Sequence, residues 1–345
     1  MKFIIHGAGA IGCYVGGRLA LAGQDVTLVG QPRVIDPLAL DGLTVTDLDG
    51  FKAQLLAKDL QLATSLAAMA LPMTGADAKD TVVLLCVKGG ATESAAREIA
   101  QTCPAGITVI SLQNGVDNVA RIQANAPGLV VLAGMVPYNV VMPSPNQVHR
   151  GTSGSLAISR SAVSEQVALA FAQAGLPTDL VDDMRAVQWG KLLLNLNNPI
   201  NALSDLPLRE QLMDRDYRRA LADLQTEALA ALKLADIAPA KVGSAPPQLL
   251  PTLLRLPTWL FTRVAARMLR MDAQARSSMW DDVQYARVTE IDDLCGAVVR
   301  LAIAHGGRAP LNAAMCRLIK HLHKGQSMGG GDIVRALAVA DKQPV

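Results

Sequence analysis

Short apolar runs alternate with longer amphipathic stretches through the first half of the chain. The runs are rich in Val, Ile and Leu, which favours strands, while the spacing of apolar residues between them favours helices. Continuous apolar strands separated by helices are typical of a parallel sheet covered on both faces. The pattern predicts strands at 3–6, 26–29, 81–87, 108–112, 129–133 and 155–158, and helices at 11–22, 91–101 and 116–124.

The pattern changes after Asp182, where strand-like runs disappear and long helical segments follow. We therefore predict an α/β N-terminal domain with a Rossmann-like doubly wound sheet over 1–182, and an all-α C-terminal domain over 183–345. Glycines followed by a polar end predict a loosely held tail after about residue 325. The predicted helices of the second domain are 184–197, 214–234, 253–269, 275–305 and 313–324.

Composition narrows the classes of function. The chain has 345 residues, half of them hydrophobic, and 32 basic residues against 30 acidic ones, a balance that argues against nucleic acid as a partner. The uncharged stretch 122–148 contains four prolines, so we expect buried strands there and no membrane span. Five scattered cysteines favour a reducing cytoplasm and predict no metal site. The N-terminal apolar run is too short for a signal peptide.

The strongest chemical signal is a Gly-x-Gly-x-x-Gly turn that follows the first strand and opens the first helix. The first glycine permits the tight turn, the second lets the backbone approach a pyrophosphate, and the third permits close packing of helix and strand. A glycine-rich turn that binds nothing is the alternative. The predicted cofactor-binding residues of this turn are Gly7, Ala8, Gly9, Ala10, Ile11 and Gly12.

The end of the second strand bears on which dinucleotide binds. An NAD site usually has a carboxylate there for the ribose 2′-hydroxyl, but the first carboxylate after this strand is Asp36. Arg33 could pair with a 2′-phosphate, which favours NADP(H) as cofactor, unless it is simply a solvated surface arginine. Lys88 and Asn114 follow two later strands and are further candidates for cofactor contact, Asn114 also for substrate contact, although either could be a turn former.

Polar groups also stand among leucines in the helical half. Lys191 and Asn195 are spaced i and i+4, which places them one above the other on one helix face, where burial would be costly for an ammonium without a role. A lysine that extends to solvent is the alternative. On one predicted helix, Ser278 and Glu290 could orient a small acid and a lysine respectively. An amphipathic helix with a charged solvent face explains the same spacing.

Taken in order, these motifs resemble the ketopantoate reductases, over nearly the whole chain. The resemblance rests on GAGAIG, Val87-Lys88, Gln113-Asn114-Gly115, WGKLLLN, SSMWDD followed by TEID, and the A-H-G-x-x-x-P-x-N ending. It implies a Rossmann domain and a helical domain with the active site in the cleft between them, an NADPH-dependent reduction of ketopantoate to pantoate, and a small 2-oxoacid as partner. A homodimer through the helical domain is also considered.

The resemblance implies roles for individual residues. Lys191 would be the general acid, supported by Glu290, which would contact this lysine or the cofactor ribose. Asn114, Asn195 and Ser278 would bind substrate, and Lys88 would contact NADP. Such groups suit the chemistry, because an ammonium stabilises and protonates the alkoxide formed by hydride transfer.

Several departures from the family pattern fall on the substrate side. Gln31 stands where many members have an arginine, and Ala275 and Cys295 stand where an Asn is usual. One residue fewer separates Asn195 from the Asn-Pro pair, and an additional apolar segment covers roughly 249–269. Reduction of a different branched 2-oxoacid and a non-catalytic NADP(H)-binding sensor therefore stay open as alternatives.

Overall fold

The computed structural model describes residues 1–69, 80–243, 245–266, 269 and 272–342. The chain divides into two compact units, residues 1–184 and residues 185–345, called here the first and second unit. The first unit is built on strands and helices, and the second unit is helical. The predicted fold class, a Rossmann-like α/β part followed by an all-α part, is thereby confirmed.

The first unit begins with the β-α-β order that the apolar pattern predicts. Its strands are β1 (Lys2–His6), β2 (Asp25–Val29), β3 (Leu43–Asp47), β4 (Lys52–Leu55), β5 (Gln61–Ala63), β6 (Thr81–Leu85), β7 (Thr108–Ser111), β8 (Val130–Met135), β9 (Val140–Ser144), β10 (Gln147–Arg150), β11 (Leu156–Ser159) and β12 (Thr178–Val181). Its helices are α1 (Ala10–Leu21), α2 (Pro32–Asp41), α3 (Thr92–Thr102), α4 (Asn118–Asn125) and α5 (Ala162–Gln173).

Eight of these strands form one sheet in the order β12-β11-β8-β7-β6-β1-β2-β5. Neighbouring strands are parallel, except that β8 and β11 are antiparallel. The central strands are buried on both faces, with all five residues of β6 below the surface, which explains their continuous apolar sequence. The strand order reverses between β1 and β6, and in open α/β sheets such a switch point is where ligands bind.

A second sheet of four strands, in the order β4-β3-β10-β9, was not predicted. Its strands are short and only half buried, so their sequences lack a long apolar run. A buried carboxylate holds the sheet to α1: Asp47 Oδ2 lies 3.3 Å from Arg18 Nη1 and 3.0 Å from Arg150 Nη2. Burial raises the pKa of Asp47, but Arg150 and the backbone N–H groups of Phe51 and Asp49 outweigh it, so that the pKa is lowered. Asp47, Arg18 and Arg150 are far apart in sequence, so no local pattern in the sequence predicts the contacts that hold this sheet.

The second unit consists of helices that pack around buried apolar residues. They are α6 (Met184–Asn195), which starts at the unit boundary, α7 (Asn197–Ser204), α8 (Leu208–Met213), α9 (Arg215–Leu234), α10 (Leu250–Arg255), α11 (Thr258–Val264), α12 (Ser278–Gln284), α13 (Ile291–Ala304), α14 (Pro310–Lys320) and α15 (Gly330–Asp341). In the described part of the chain, no helix has the length and apolar character needed to cross a membrane.

Three predictions about these helices were wrong. The predicted helix 275–305 is two helices, because the chain turns at Ala286, which has a left-handed φ of 49°. The predicted helix 253–269 is broken at Pro257, and its end lies partly outside the described residues. The tail contains α15, whose side chains Ile333 and Leu337 are buried. The glycines before this helix led to the prediction of a loose tail, although the apolar residues that follow them have helical spacing.

Candidate functional site

The glycine turn between β1 and α1 lies at the strand-order switch and is tied to its neighbours by backbone contacts. The N–H groups of Gly7 and Ala8 both donate to the carbonyl of Val29, each at 2.9 Å. Gly7 has a φ of 111°, and a Cβ there would lie 2.6 Å from the nitrogen of Val87. A Cβ on Gly12 would lie 2.2 Å from the Gly7 carbonyl oxygen. Both positions therefore require glycine for different steric reasons.

Gly9 differs from Gly7 and Gly12 because, apart from its two chain neighbours, no described residue comes within 4 Å of the place where its Cβ would be. This residue is exposed and forms the N-cap of α1 with extended backbone. The N–H groups of the first turn, including those of Ala10 and Ile11, have no intrahelical acceptor by helix geometry, and the helix dipole makes this end positive. Open space before such an end fits a dinucleotide pyrophosphate.

The end of β2 carries the side chains predicted to distinguish NADP from NAD. Gln31 is the N-cap of α2, and its Oε1 accepts a hydrogen bond of 2.8 Å from Arg33 Nε. Both residues are exposed. Arg33 is thus held beside the strand end where a ribose 2′ substituent binds in this fold. The hydrogen bond from Arg33 to Gln31 orients the guanidinium.

Lys88 and Asn114 follow β6 and β7, at the same edge of the large sheet as the glycine turn. Lys88 is exposed, and Asn114 is half buried with its carbonyl accepting from Asn118 Nδ2 at 2.7 Å. The two strand ends are joined by Gln113, whose Nε2 donates to the Val87 carbonyl at 2.9 Å and to Thr92 Oγ1 at 2.7 Å.

This network includes positioning residues that the sequence analysis missed. Thr92 Oγ1 donates to Asn118 Oδ1 at 3.1 Å, which closes a chain of hydrogen bonds from Val87 to Asn114. Both side chains are buried. The signal that could have found them is a polar residue in the first turn of each helix after a strand.

Helix α6 carries Lys191 and Asn195 one turn apart, as the spacing predicts. Trp189, Leu192 and Leu193 of the same helix are buried. Lys191 is half buried, and desolvation lowers its pKa to about 8, against the neighbouring carboxylate of Glu290, which raises it. The ammonium is therefore mostly protonated at pH 7 and can lose its proton within the neutral to alkaline range.

The glycine of the Trp-Gly-Lys motif has a steric role. A Cβ on Gly190 would lie 2.1 Å from the carbonyl oxygen of Ala240, and the N–H of Ala240 donates to the Ala186 carbonyl at 2.9 Å. The segment around residue 240 thus packs directly on α6, and a side chain at position 190 would collide with it.

Glu290 and Ser278 lie on different helices, so the prediction that they share one helix face was wrong. Glu290 is the N-cap of α13, beyond the turn at Ala286, and its carboxylate acts on Lys191. Ser278 is exposed at the start of α12, where Ser277 is the N-cap. Because α12 ends before Glu290, the position of Glu290 relative to Ser278 is not set by the geometry of a single helix.

The other amides near Lys191 serve partly as internal links. Asn197 and Gln211 exchange two hydrogen bonds of 2.8 and 3.2 Å between their side-chain amides. The Nδ2 of Asn201 donates to the Leu206 carbonyl at 2.9 Å. Cys295, which departs from the family pattern, is fully buried in α13, and burial raises the pKa of its thiol.

Among the described residues, His, Cys, Asp and Glu form no group of three or more that could hold a metal ion.

Comparison with known proteins covers both units. The model of the family described as "Ketopantoate reductase PanE/ApbA" matches residues 3–162, and the model of its C-terminal domain matches residues 183–323. The chain is 29% identical over 338 residues to a 2-dehydropantoate 2-reductase of Pyrococcus horikoshii, covering 96% of this chain and 99% of that protein. It is also 29% identical to the enzyme of the same name from Halobacterium salinarum, covering 93% and 98% respectively.

Solved structures show the same similarity. A PanE/ApbA family ketopantoate reductase from Ralstonia eutropha superposes with a TM-score of 0.76 at 29% identity, covering 93% of this chain and 97% of that one. A D-mandelate dehydrogenase solved with NADH and anilino(oxo)acetate has the same TM-score at 18% identity, covering 99% and 100%, which is a likeness of fold alone. The chain belongs to the ketopantoate reductase family, and is an oxidoreductase.

Proposed function

We propose that this protein uses NADPH to reduce a 2-oxoacid to a 2-hydroxyacid, and that its substrate is 2-dehydropantoate, reduced to (R)-pantoate for pantothenate biosynthesis. The observation that carries the proposal is Lys191, a lysine whose pKa is lowered to about 8 and which has a carboxylate, Glu290, for a neighbour. Reduction of a ketone needs a group that can give up a proton near neutral pH.

The first unit supplies the binding site for the dinucleotide in this proposal. The open space at Gly9 and the amide-rich start of α1 fit a pyrophosphate. Arg33, oriented by Gln31, would pair with the 2′-phosphate, and Lys88 and Asn114 would contact the remainder of the cofactor. When bound, the reduced nicotinamide supplies a hydride to the ketone carbon.

The second unit supplies the proton and holds the acid. Lys191 Nζ would donate to the oxygen of the former ketone, and Glu290 would keep the ammonium protonated and oriented until transfer. The amide of Asn195, one turn along α6, would hydrogen-bond the substrate. The exposed hydroxyl of Ser278 would bind the carboxylate next to the reacting carbonyl, which fixes the carbonyl for attack.

The proposal is tested by initial rates with NADPH and NADH over a panel of 2-oxoacids that includes 2-dehydropantoate and bulkier branched and aromatic members. We expect the highest kcat/KM with NADPH and 2-dehydropantoate, with (R)-pantoate identified by chiral chromatography. A higher kcat/KM for another oxoacid would favour the alternative substrate, which Ala275 and Cys295 leave open. Cofactor binding without turnover of any acid would favour a sensor.

A further inference from the structure

A compact network in the second unit fastens the start of α12, where Ser278 stands, onto the end of α7. Its centre is Asp205, the residue that ends α7 in the left-handed conformation with a φ of 55°. Asp205 lies outside the sequence motifs that resemble the ketopantoate reductases. Its side chain and carbonyl accept hydrogen bonds from residues on both sides of Ser278.

Two side chains converge on Asp205. Trp280 Nε1 donates to Asp205 Oδ1 at 2.6 Å. Arg276 Nη1 donates to the Asp205 carbonyl at 2.8 Å and lies 3.4 Å from Oδ1. The guanidinium of Arg276 also stacks on Trp280, 4.2 Å from the ring centroid. Because Arg276 and Trp280 each lie two residues from Ser278, Asp205 holds the chain on both sides of the serine, through its carboxylate and its backbone carbonyl.

Backbone contacts complete the attachment. The N–H of Ser277 donates to Asn201 Oδ1 at 2.8 Å, and Ser277 Oγ donates to the Asn198 carbonyl at 3.2 Å. The carbonyl of Ala275 accepts from the N–H of Leu208 at 2.8 Å. The segment 275–280 is thus fixed at several points to 198–208, while Ser278 itself stays exposed.

The left-handed backbone of Asp205 has a physical reason for an Asx residue. Asp and Asn adopt this conformation at lower cost than other side chains apart from glycine. A glycine would satisfy the backbone, so the conformation alone does not require a carboxylate. The carboxylate is needed to accept from Trp280 and to pair with Arg276 at 3.4 Å, whereas the 2.8 Å hydrogen bond from Arg276 needs only the backbone carbonyl.

We propose that Asp205 is a positioning residue for substrate binding, which acts through Trp280 and Arg276 to hold the Ser278 hydroxyl where it meets the carboxylate of the 2-oxoacid. The inference rests on the proposed function, because it needs Ser278 to bind substrate. A hydroxyl on a loosely held turn would bind the acid more weakly, since the ordering of the turn would then oppose binding.

The test compares Asp205→Gly with Asp205→Asn and a matched control. Glycine removes the carboxylate without strain at the left-handed φ, whereas Asn keeps both this conformation and an acceptor oxygen for Trp280. Asp223→Asn is the control, because Asp223 also forms a half-exposed ion pair with an arginine, Arg255 at 2.6 Å. If Asp205→Gly folds poorly, Trp280→Phe is the second test, because it removes the Nε1 donor of the 2.6 Å hydrogen bond and keeps an aromatic side chain.

We expect Asp205→Gly and Trp280→Phe to raise KM for the oxoacid about tenfold, as loss of a hydrogen bond to a charged group does, with little change in kcat or in NADPH affinity. Asp205→Asn should restore KM to within about threefold of the wild type. Asp223→Asn should leave KM unchanged. A wild-type KM in both Asp205→Gly and Trp280→Phe would overturn the inference.

A double-mutant cycle with Ser278→Ala separates positioning from general damage. If Asp205 acts through Ser278, adding Asp205→Gly to Ser278→Ala should raise KM less than about twofold further. Independent, multiplicative losses would overturn the inference but leave the proposed function intact. If Ser278→Ala alone has wild-type kinetics, the substrate role of Ser278 fails and the inference fails with it. If no 2-oxoacid is reduced by the wild type, the proposed function itself is wrong.

Discussion

The turn at Gly7–Gly12 and the polar cluster around Lys191 are two candidate sites built in opposite ways. In the turn, the groups offered to a ligand are backbone amides, and side chains matter chiefly by being absent, as at Gly9. In the cluster, the groups are side chains from separate helices, and their chemistry depends on neighbours, as the pKa of Lys191 shows. A backbone site is thus specified locally, whereas a side-chain site is specified by packing.

The largest effect that this comparison predicts is at Lys191. Lys191→Ala should lower kcat on the best oxoacid by a factor on the order of 10² or more, as loss of a general acid does. NADPH affinity should persist, because the glycine turn is unchanged. Steady-state kinetics and fluorescence titration of NADPH measure the two effects. Lys233→Ala, at an exposed lysine of α9, is the control. A near-normal kcat in Lys191→Ala would place the acid elsewhere.

The glycine turn should respond to side-chain bulk in two distinguishable ways. Gly9→Val should weaken cofactor binding by roughly 10- to 100-fold, yet cost only about 1 kcal/mol of stability, because its Cβ meets open space at an N-cap. Gly12→Val should weaken binding and also lower the melting temperature, because its Cβ would overlap the Gly7 carbonyl. Equal melting temperatures for the two variants would show that the distinction between ligand-facing and packing glycines is wrong.

A smaller and more selective effect is expected at Arg33. Arg33→Ala should raise the Kd for NADPH about tenfold, because an arginine contact to the 2′-phosphate is lost, and leave the Kd for NADH almost unchanged. Isothermal titration with each cofactor measures both constants. Arg160→Ala, which removes an exposed arginine paired with Asp182 at 2.9 Å, controls for the change in net charge. Equal weakening of both cofactors would exclude Arg33 as the reader of the 2′-phosphate.

The smallest effect is a shift of the pH profile. Since Lys191 must be protonated to donate, kcat should hold below its pKa and fall as pH rises through about 8. Glu290 raises this pKa, so Glu290→Gln should move the descending limb to lower pH, besides lowering the rate. Rate profiles from pH 6 to about 10 test the sign. A limb that stays in place or moves upward would mean that Glu290 does not act on the titrating group.

Sequence reasoning predicted the first unit's central strands and glycine turn, but missed its second sheet. The central strands could be recognised from the sequence because β1 and β6 are buried on both faces and therefore consist of continuous apolar residues. The second sheet depends on Asp47, Arg18 and Arg150, which are distant in sequence. No local pattern indicates that they will meet.

The second unit shows the same limit more sharply. The i, i+4 spacing placed Lys191 and Asn195 correctly on one helix, because that relation is local. The break at Ala286 was not predicted, since the flanking segments have strong helical patterns and the turn contains no proline or glycine. As a result, the predicted placement of Glu290 and Ser278 on one helix was wrong. The resemblance had implied that Glu290 supports Lys191, and in the structure its carboxylate does act on this lysine.

By itself, then, the sequence determined the central strands of the large sheet, the glycine turn after the first strand and which side chains are candidates for reaction. These features depend on short-range properties of the chain: the spacing of buried residues, the steric limits of the backbone and the geometry of a helix. The tertiary structure alone decided the second sheet, the pKa of Lys191 and the attachment of Arg276 and Trp280, on either side of Ser278, to Asp205. Desolvation and charge pairing depend on atoms brought together from distant positions, and no local pattern carries that information.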